Sequence, residues 1–263
     1  MALQHPSNVP TNRAASPAKE AAAPRRRLAP EDREHQIVQA AIAFFARHGF
    51  DASTRDLAKE LGVTQPLLYR YFPTKEALVD RVYEEVFVRR WNPEWEEWLA
   101  DRSVPLGTRL KRYLEDYARF VLRGEWVRIF IYAGLSRGGI NQKYLARLRE
   151  RHFVVIAREL RHACDIPDPP DAEAEDDEID LVWAMHSSVF YIGVRKWIYE
   201  LPTPKDLRRV IDLRVDAFMA GVPQVLKAQR DRRSRVGAAR GPRTSISRLH
   251  PWTESPIIYL SIN

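Results

Sequence analysis

The sequence predicts an all-α fold, with a small N-terminal helix-turn-helix unit followed by a larger helical domain. Three observations predict it. Apolar residues recur at spacings of three and four through most of residues 31–222. Strand-like alternation is scarce over the same stretch. Two short helical segments are also separated by a single tight turn, Gly62-Val63-Thr64. With 45% hydrophobic and 29% charged residues in 263, the chain has the composition of a globular protein with a real core.

Residues 1–30 place Pro6, Pro10, Pro17, Pro24 and Pro30 among Ala, Ser and Asn and repeat no apolar period. They read as a disordered arm that turns basic at Arg25-Arg26-Arg27. Residues 31–83 form the helix-turn-helix unit. Its first helix starts near Glu31, carries Ile37, Ala40, Ala41, Phe44 and Phe45 on one face, and ends at Gly49. Ser53 with Asp56 fits a capping box for a second helix bearing Leu57, Ala58 and Leu61. Thr64 caps a third helix, with Pro66 in its first turn where the missing N–H costs little, and that helix runs to Phe72. Pro73-Thr74 breaks and recaps, and a fourth helix starts at Lys75 and continues past Val82.

Residues 84–222 read as long helices near 107–123, 125–135, 140–163, 178–200 and 204–220. The acidic run Glu173 to Glu178 follows three prolines and reads as an exposed loop leading into a helix N-terminus, because its carboxylates repel one another. Residues 223–263 read as a basic, disordered tail. The formal charge of +7 divides by segment into +4 for 1–30, −1 for 31–83, −2 for 84–222 and +6 for 223–263. A near-neutral folded body flanked by basic arms is suited to adding phosphate affinity through counterion release, or the arms serve only to keep the protein soluble.

Several classes are excluded. One cysteine, Cys164, leaves no intrachain disulfide and no cysteine-rich zinc module. No metal ion is expected, since His152 and His162 lie ten apart without an i,i+4 partner. No run approaches a membrane span, and no apolar stretch precedes the first arginines as in a secretion signal, so a cytoplasmic protein is expected. No glycine-rich phosphate loop, HExxH or nucleophile elbow is present, so neither an enzyme nor a cofactor is expected.

Around the tight turn the chain resembles the TetR family of one-component transcriptional regulators. The residues that carry the resemblance are Ala41, Phe44, Gly49-Phe50, Thr54, Leu57-Ala58, Leu61-Gly62-Val63-Thr64, Leu68-Tyr69, Phe72, Lys75 and Leu78. Pro66 and Tyr71 depart from the commonest residues at their positions. The resemblance implies a homodimer that binds a pseudo-palindromic double-stranded operator, most often as a repressor. It also makes residues 84–222 an effector-binding and dimerisation domain.

Helix three would then enter the major groove by its N-terminus. Gln65 can pair with adenine, and Thr64 and Arg70 are further base readers, while Pro66 could only touch a thymine methyl or shape the backbone. Tyr69 and Tyr71 resemble the family's phosphate-contacting aromatics. Thr54 with Arg55, and Lys75 beside the free N–H groups after Thr74, can hold phosphates. In the larger domain Trp126, Phe130, Tyr132, Phe153, Trp183, His186, Phe190 and Tyr191 are candidates to line a cavity for a small apolar or aromatic ligand. Val182, Phe190, Trp197, Leu207, Ile211 and Phe218 are expected at a four-helix interface between subunits. A ligand-independent or protein-responsive regulator, or an activator, is the alternative function.

Overall fold

The computed structural model describes residues 29–135 and 139–240. Among the described residues every element is helical. Helix α1, Pro30–His48, has proline at its first position and buries Ile37, Val38, Ala41, Phe44 and Phe45. It ends at Gly49, whose dihedrals (φ 75, ψ 173) belong to a region only glycine enters freely. The bare Cα there is covered by the Tyr132 ring, and a Cβ would come within 3.2 Å of Tyr132 Cδ1.

Helices α2, Thr54–Glu60, and α3, Gln65–Tyr71, are each seven residues long. Between them Gly62 sits at φ +63 with open space where a side chain would be, so its role is conformational. Helix α4, Lys75–Tyr83, runs without a break into a π-helical turn, Glu84–Val88.

Next come a short α5, Glu94–Ala100, then α6, Leu106–Val121, and α7, Gly124–Leu135. The stretch expected as one helix from 140 to 163 is α8, Ile140–Leu148, a second π-helical turn, Arg149–Phe153, and α9, Val154–Cys164. Helices α10, Ala172–Trp197, and α11, Leu207–Arg240, complete the body. Helix α1 packs on α4 and α7; α10 packs on α6, α7, α9 and α11. The buried apolar residues form one cluster that extends from Ile37 to Leu226.

Three expectations need correction. First, the acidic run is helical rather than a loop. Asp171 caps α10 by accepting the Ala174 N–H at 2.8 Å, and Glu173 and Glu175 face the positive end of the helix dipole. Glu178 is 2% exposed, because Arg161 (2.5 Å) and Arg230 both grip its carboxylate.

Second, residues 223–240 are not a disordered tail: α11 passes through Pro223 and reaches Arg240, with Leu226 and Arg230 buried against the body. The Arg25–Arg27 arm and the residues beyond 240 lie outside the described residues. Third, Val182, Ile211 and Phe218 are buried inside the monomer's own core and cannot face a second subunit.

A second buried carboxylate, Glu159, is held by Arg109 at 3.1 Å and Arg102 at 2.9 Å, which keeps it below its ordinary pKa. Deeper still, the Tyr113 hydroxyl lies 2.9 Å from His152 Nδ1 and 3.0 Å from His186 Nε2. Burial pushes both imidazoles from 6.5 down to about 3, helped at His152 by the charges of Arg147 and Arg151, so they stay neutral when folded.

The unfolded chain protonates these histidines as pH falls through 6.5 while the folded chain does not, so stability is complete above that value and declines below it. Each contributes a slope approaching about 1.4 kcal/mol per pH unit. Glu159 begins to cost stability only as pH falls below its ordinary 4.5, so the window from about pH 5 to 6.5 isolates the histidines. Urea unfolding across this window should show the decline, and His186→Gln should reduce its slope. A flat stability profile from pH 5 to 6.5 in the unaltered protein would contradict the buried neutral pair.

Candidate nucleic-acid interface

The three helices at this surface begin abruptly because each has a side-chain cap. Ser53 accepts the Asp56 N–H at 3.1 Å, Thr64 the Leu67 N–H at 3.4 Å and Thr74 the Ala77 N–H at 3.0 Å. Leu57, Ala58 and Leu68 anchor α2 and α3 from beneath, and Phe72 closes the end of α3. What remains outward is the predicted set: Arg55, Thr64, Pro66, Tyr69 and Arg70 are exposed, and Gln65, Tyr71 and Lys75 are half-buried. At the start of α4 the cap uses the Ala77 N–H, so the N–H groups of Lys75 and Glu76 remain for an incoming oxygen. The Glu76 carboxylate on that turn works against an anion.

Thr54 differs from its expected role. It is only 8% exposed, and its hydroxyl lies 2.9 Å from Tyr69 Oη and accepts from Gln65 Nε2 at 3.2 Å. A side chain so enclosed cannot grip a phosphate as its neighbour Arg55 can.

The proposed ligand-lining residues separate into groups. Trp126 stacks on Phe130 (5.0 Å between ring centres, 10°) and meets the edges of Phe87 at 5.0 Å and Phe190 at 5.7 Å. Phe153 contacts Trp183 at 5.3 Å and His186 at 4.9 Å, beside the Tyr113 network. Tyr132 covers Gly49 at the joint with α1, and Tyr191 is 52% exposed on the outer face of α10. Tyr191 therefore lies outside the enclosed groups.

Sequence reasoning missed Phe87, Trp91, Tyr144 and His152, which complete the nest: Tyr144 touches Phe87 at 5.5 Å and Trp91 at 6.1 Å, and Trp91 stacks on His152 at 4.6 Å. The i,i+4 pair Trp91 and Trp95 was a readable signal. Among the described residues the buried indole N–H groups of Trp91 and Trp126, and His152 Nε2, have no hydrogen-bond partner, whereas Trp95 donates to Asp116 at 2.8 Å and Trp197 to the Leu122 carbonyl at 2.8 Å.

The rings therefore meet face to edge through most of this interior, around a few unpaired polar atoms. Among the described residues no helix is long and apolar enough to cross a membrane.

Residues 37–82 match the bacterial regulatory proteins of the tetR family. Over 64 residues, 24% of this chain and 31% of the relative, the sequence is 39% identical to the HTH-type transcriptional regulator LuxR of Vibrio harveyi. Over 85 residues, 29% of this chain and 39% of the relative, it is 29% identical to the tetracycline repressor protein class D of Escherichia coli. The chain thus spans less than two fifths of the length of these curated relatives. A crystal structure of a putative transcriptional regulator from Pseudomonas aeruginosa PAO1 shares the fold. It has a TM-score of 0.54 and 24% identity, covering 76% of this chain and 96% of that one. The helix-turn-helix at residues 37–82 is thus similar to that of the bacterial regulatory proteins of the tetR family, and the helical body shares its fold with that solved structure.

Proposed function

We propose that the protein binds a pseudo-palindromic operator as a homodimer, acts as a repressor, and is released by a small apolar or aromatic ligand. The observation that carries the reading is the outward set on α2, α3 and α4, where Gln65 and Arg70 can reach base edges while Arg55, Tyr69 and Lys75 surround them for phosphates. The tetracycline repressor, by its name, is a repressor and supports the same role for this chain.

The dimer reading rests on an apolar outer face. Leu213 is 59% exposed, and Ala217, Ala220, Gly221 and Gln224 follow it at helical spacing on α11, with Tyr191 (52% exposed) on α10. Small residues let two such faces approach closely. The ligand reading rests on the nest: its unpaired N–H groups suit a ligand carrying acceptors. Phe87, which touches Trp126, Phe130 and Tyr144, sits on the π-helical turn continuous with α4 and Lys75. A ligand that parts these rings would therefore act directly on the element that ends at the DNA surface. A 100-fold release requires about 2.7 kcal/mol of differential affinity between bound and released forms. The close ring packing itself favours a second reading, a regulator that needs no ligand.

Selection on random duplexes should recover a two-fold symmetric motif, and Lys75→Ala should weaken binding to all sequences while lowering the salt slope by about one. Recovery of no recurring motif would refute operator reading. Leu213→Glu alters a side chain the monomer leaves exposed, so it should give folded monomers with much weaker operator affinity. An unaltered dimer in sedimentation would move the interface elsewhere. In a thermal-shift screen of aromatic compounds bearing carbonyl or carboxylate acceptors, a compound that raises the melting temperature should also lower operator affinity. If every stabilising compound leaves operator affinity unchanged, the ligand-independent reading stands.

A further inference from the structure

The Thr54 hydroxyl is the only group of the predicted contact set that is buried, and it touches two outward-facing members of that set. Its hydrogen-bond inventory is small: one proton and two lone pairs. Gln65 Nε2 donates to it at 3.2 Å, which uses a lone pair. Tyr69 Oη lies 2.9 Å away in a contact where either hydroxyl can donate, and giving the proton to Tyr69 is the arrangement that leaves the enclosed Thr54 O–H with a partner. With the Thr54 proton spent there, the Tyr69 O–H is free to point outward. With one amide proton spent on Thr54, Gln65 keeps its Oε1 and its second N–H for the groove. That remaining pair, one donor and one acceptor in a fixed plane, matches the N7 acceptor and N6–H donor of adenine.

We infer that Thr54 is a positioning residue. Its enclosed hydroxyl sets the Gln65 carboxamide in the orientation that reads adenine and turns the Tyr69 proton toward a phosphate, without itself touching DNA. This rests on the operator reading above and adds to it a determinant of sequence preference that lies behind the contact surface. The physical gain is pre-organisation. A glutamine free to rotate presents donor and acceptor in either order and loses side-chain entropy on binding, whereas one already tethered does neither.

The test compares Thr54→Val, which keeps the shape and removes the hydroxyl, with Thr54→Ser, which keeps the hydroxyl. In the free protein, the Gln65 side-chain amide should show restricted motion by NMR relaxation in the unaltered chain and in Thr54→Ser, and become mobile in Thr54→Val. In binding selections, Thr54→Val should lose about tenfold of the adenine preference at one base pair per half-site. Thr54→Ser should stay within about twofold of the unaltered chain on the scale of a single-contact effect.

A mobile Gln65 amide in the unaltered protein overturns the inference, as does Thr54→Val retaining full adenine preference while affinity falls equally for all sequences. A guanine preference at that position would mean the amide is turned the other way and overturns it too. If the unaltered protein selects no motif at all, the operator reading fails instead, a result visible before any variant is compared.

Discussion

Two seven-residue helices cannot hold themselves in place, and everything proposed for this protein depends on their being held. Isolated helices of that length are unstable in water, so α2 and α3 exist because Leu57, Ala58 and Leu68 are buried beneath them and capping hydroxyls satisfy their first N–H groups. Those residues join the same buried cluster as the apolar faces of α1 and α4, and α1 in turn packs on α7 of the larger body. The helix-turn-helix unit is therefore not an independent module on a flexible stalk. Its core is continuous with the body's, and the Tyr132 ring over Gly49 closes the seam.

That continuity runs through a single element. Helix α4 carries Lys75 at one end and passes into the π-helical turn with Phe87 at the other. A π-helical turn holds one residue more than the α-helical register needs, which makes it a natural place for a helix to change its phase. The aromatic nest around Phe87 pairs large apolar area with unpaired indole N–H groups, and such groups are costly to bury.

The body is pinned elsewhere by charge. Glu178 between Arg161 and Arg230 links α10 to α9 and α11, while Glu159 between Arg102 and Arg109 links α9 to α6 and the segment before it. Removing the carboxylate of either triad would leave buried arginine charge uncompensated, so each ties the helices it joins. The first also explains why α11 runs well past residue 222: Arg230 is needed at Glu178.

What the sequence determined by itself is local. The helical period, the caps at Ser53, Thr64 and Thr74 and the turn at Gly62 follow from dihedral preference and from hydrogen bonds spanning three residues. They sufficed to place α1 to α4 and their outward residues. What only the tertiary structure decided is which distant groups meet. The acidic run looked like a loop because five carboxylates cannot be buried together, yet one of them, Glu178, has two arginines brought to it from 17 and 52 residues away. Val182, Ile211 and Phe218 looked available to a partner because apolar residues on a helix announce burial but not against what. Thr54 looked like a phosphate ligand until α3 laid Tyr69 and Gln65 over it. In each case the residue's chemistry was legible and its neighbour was not, because a long-range contact is set by the packing of whole elements rather than by the sequence on either side.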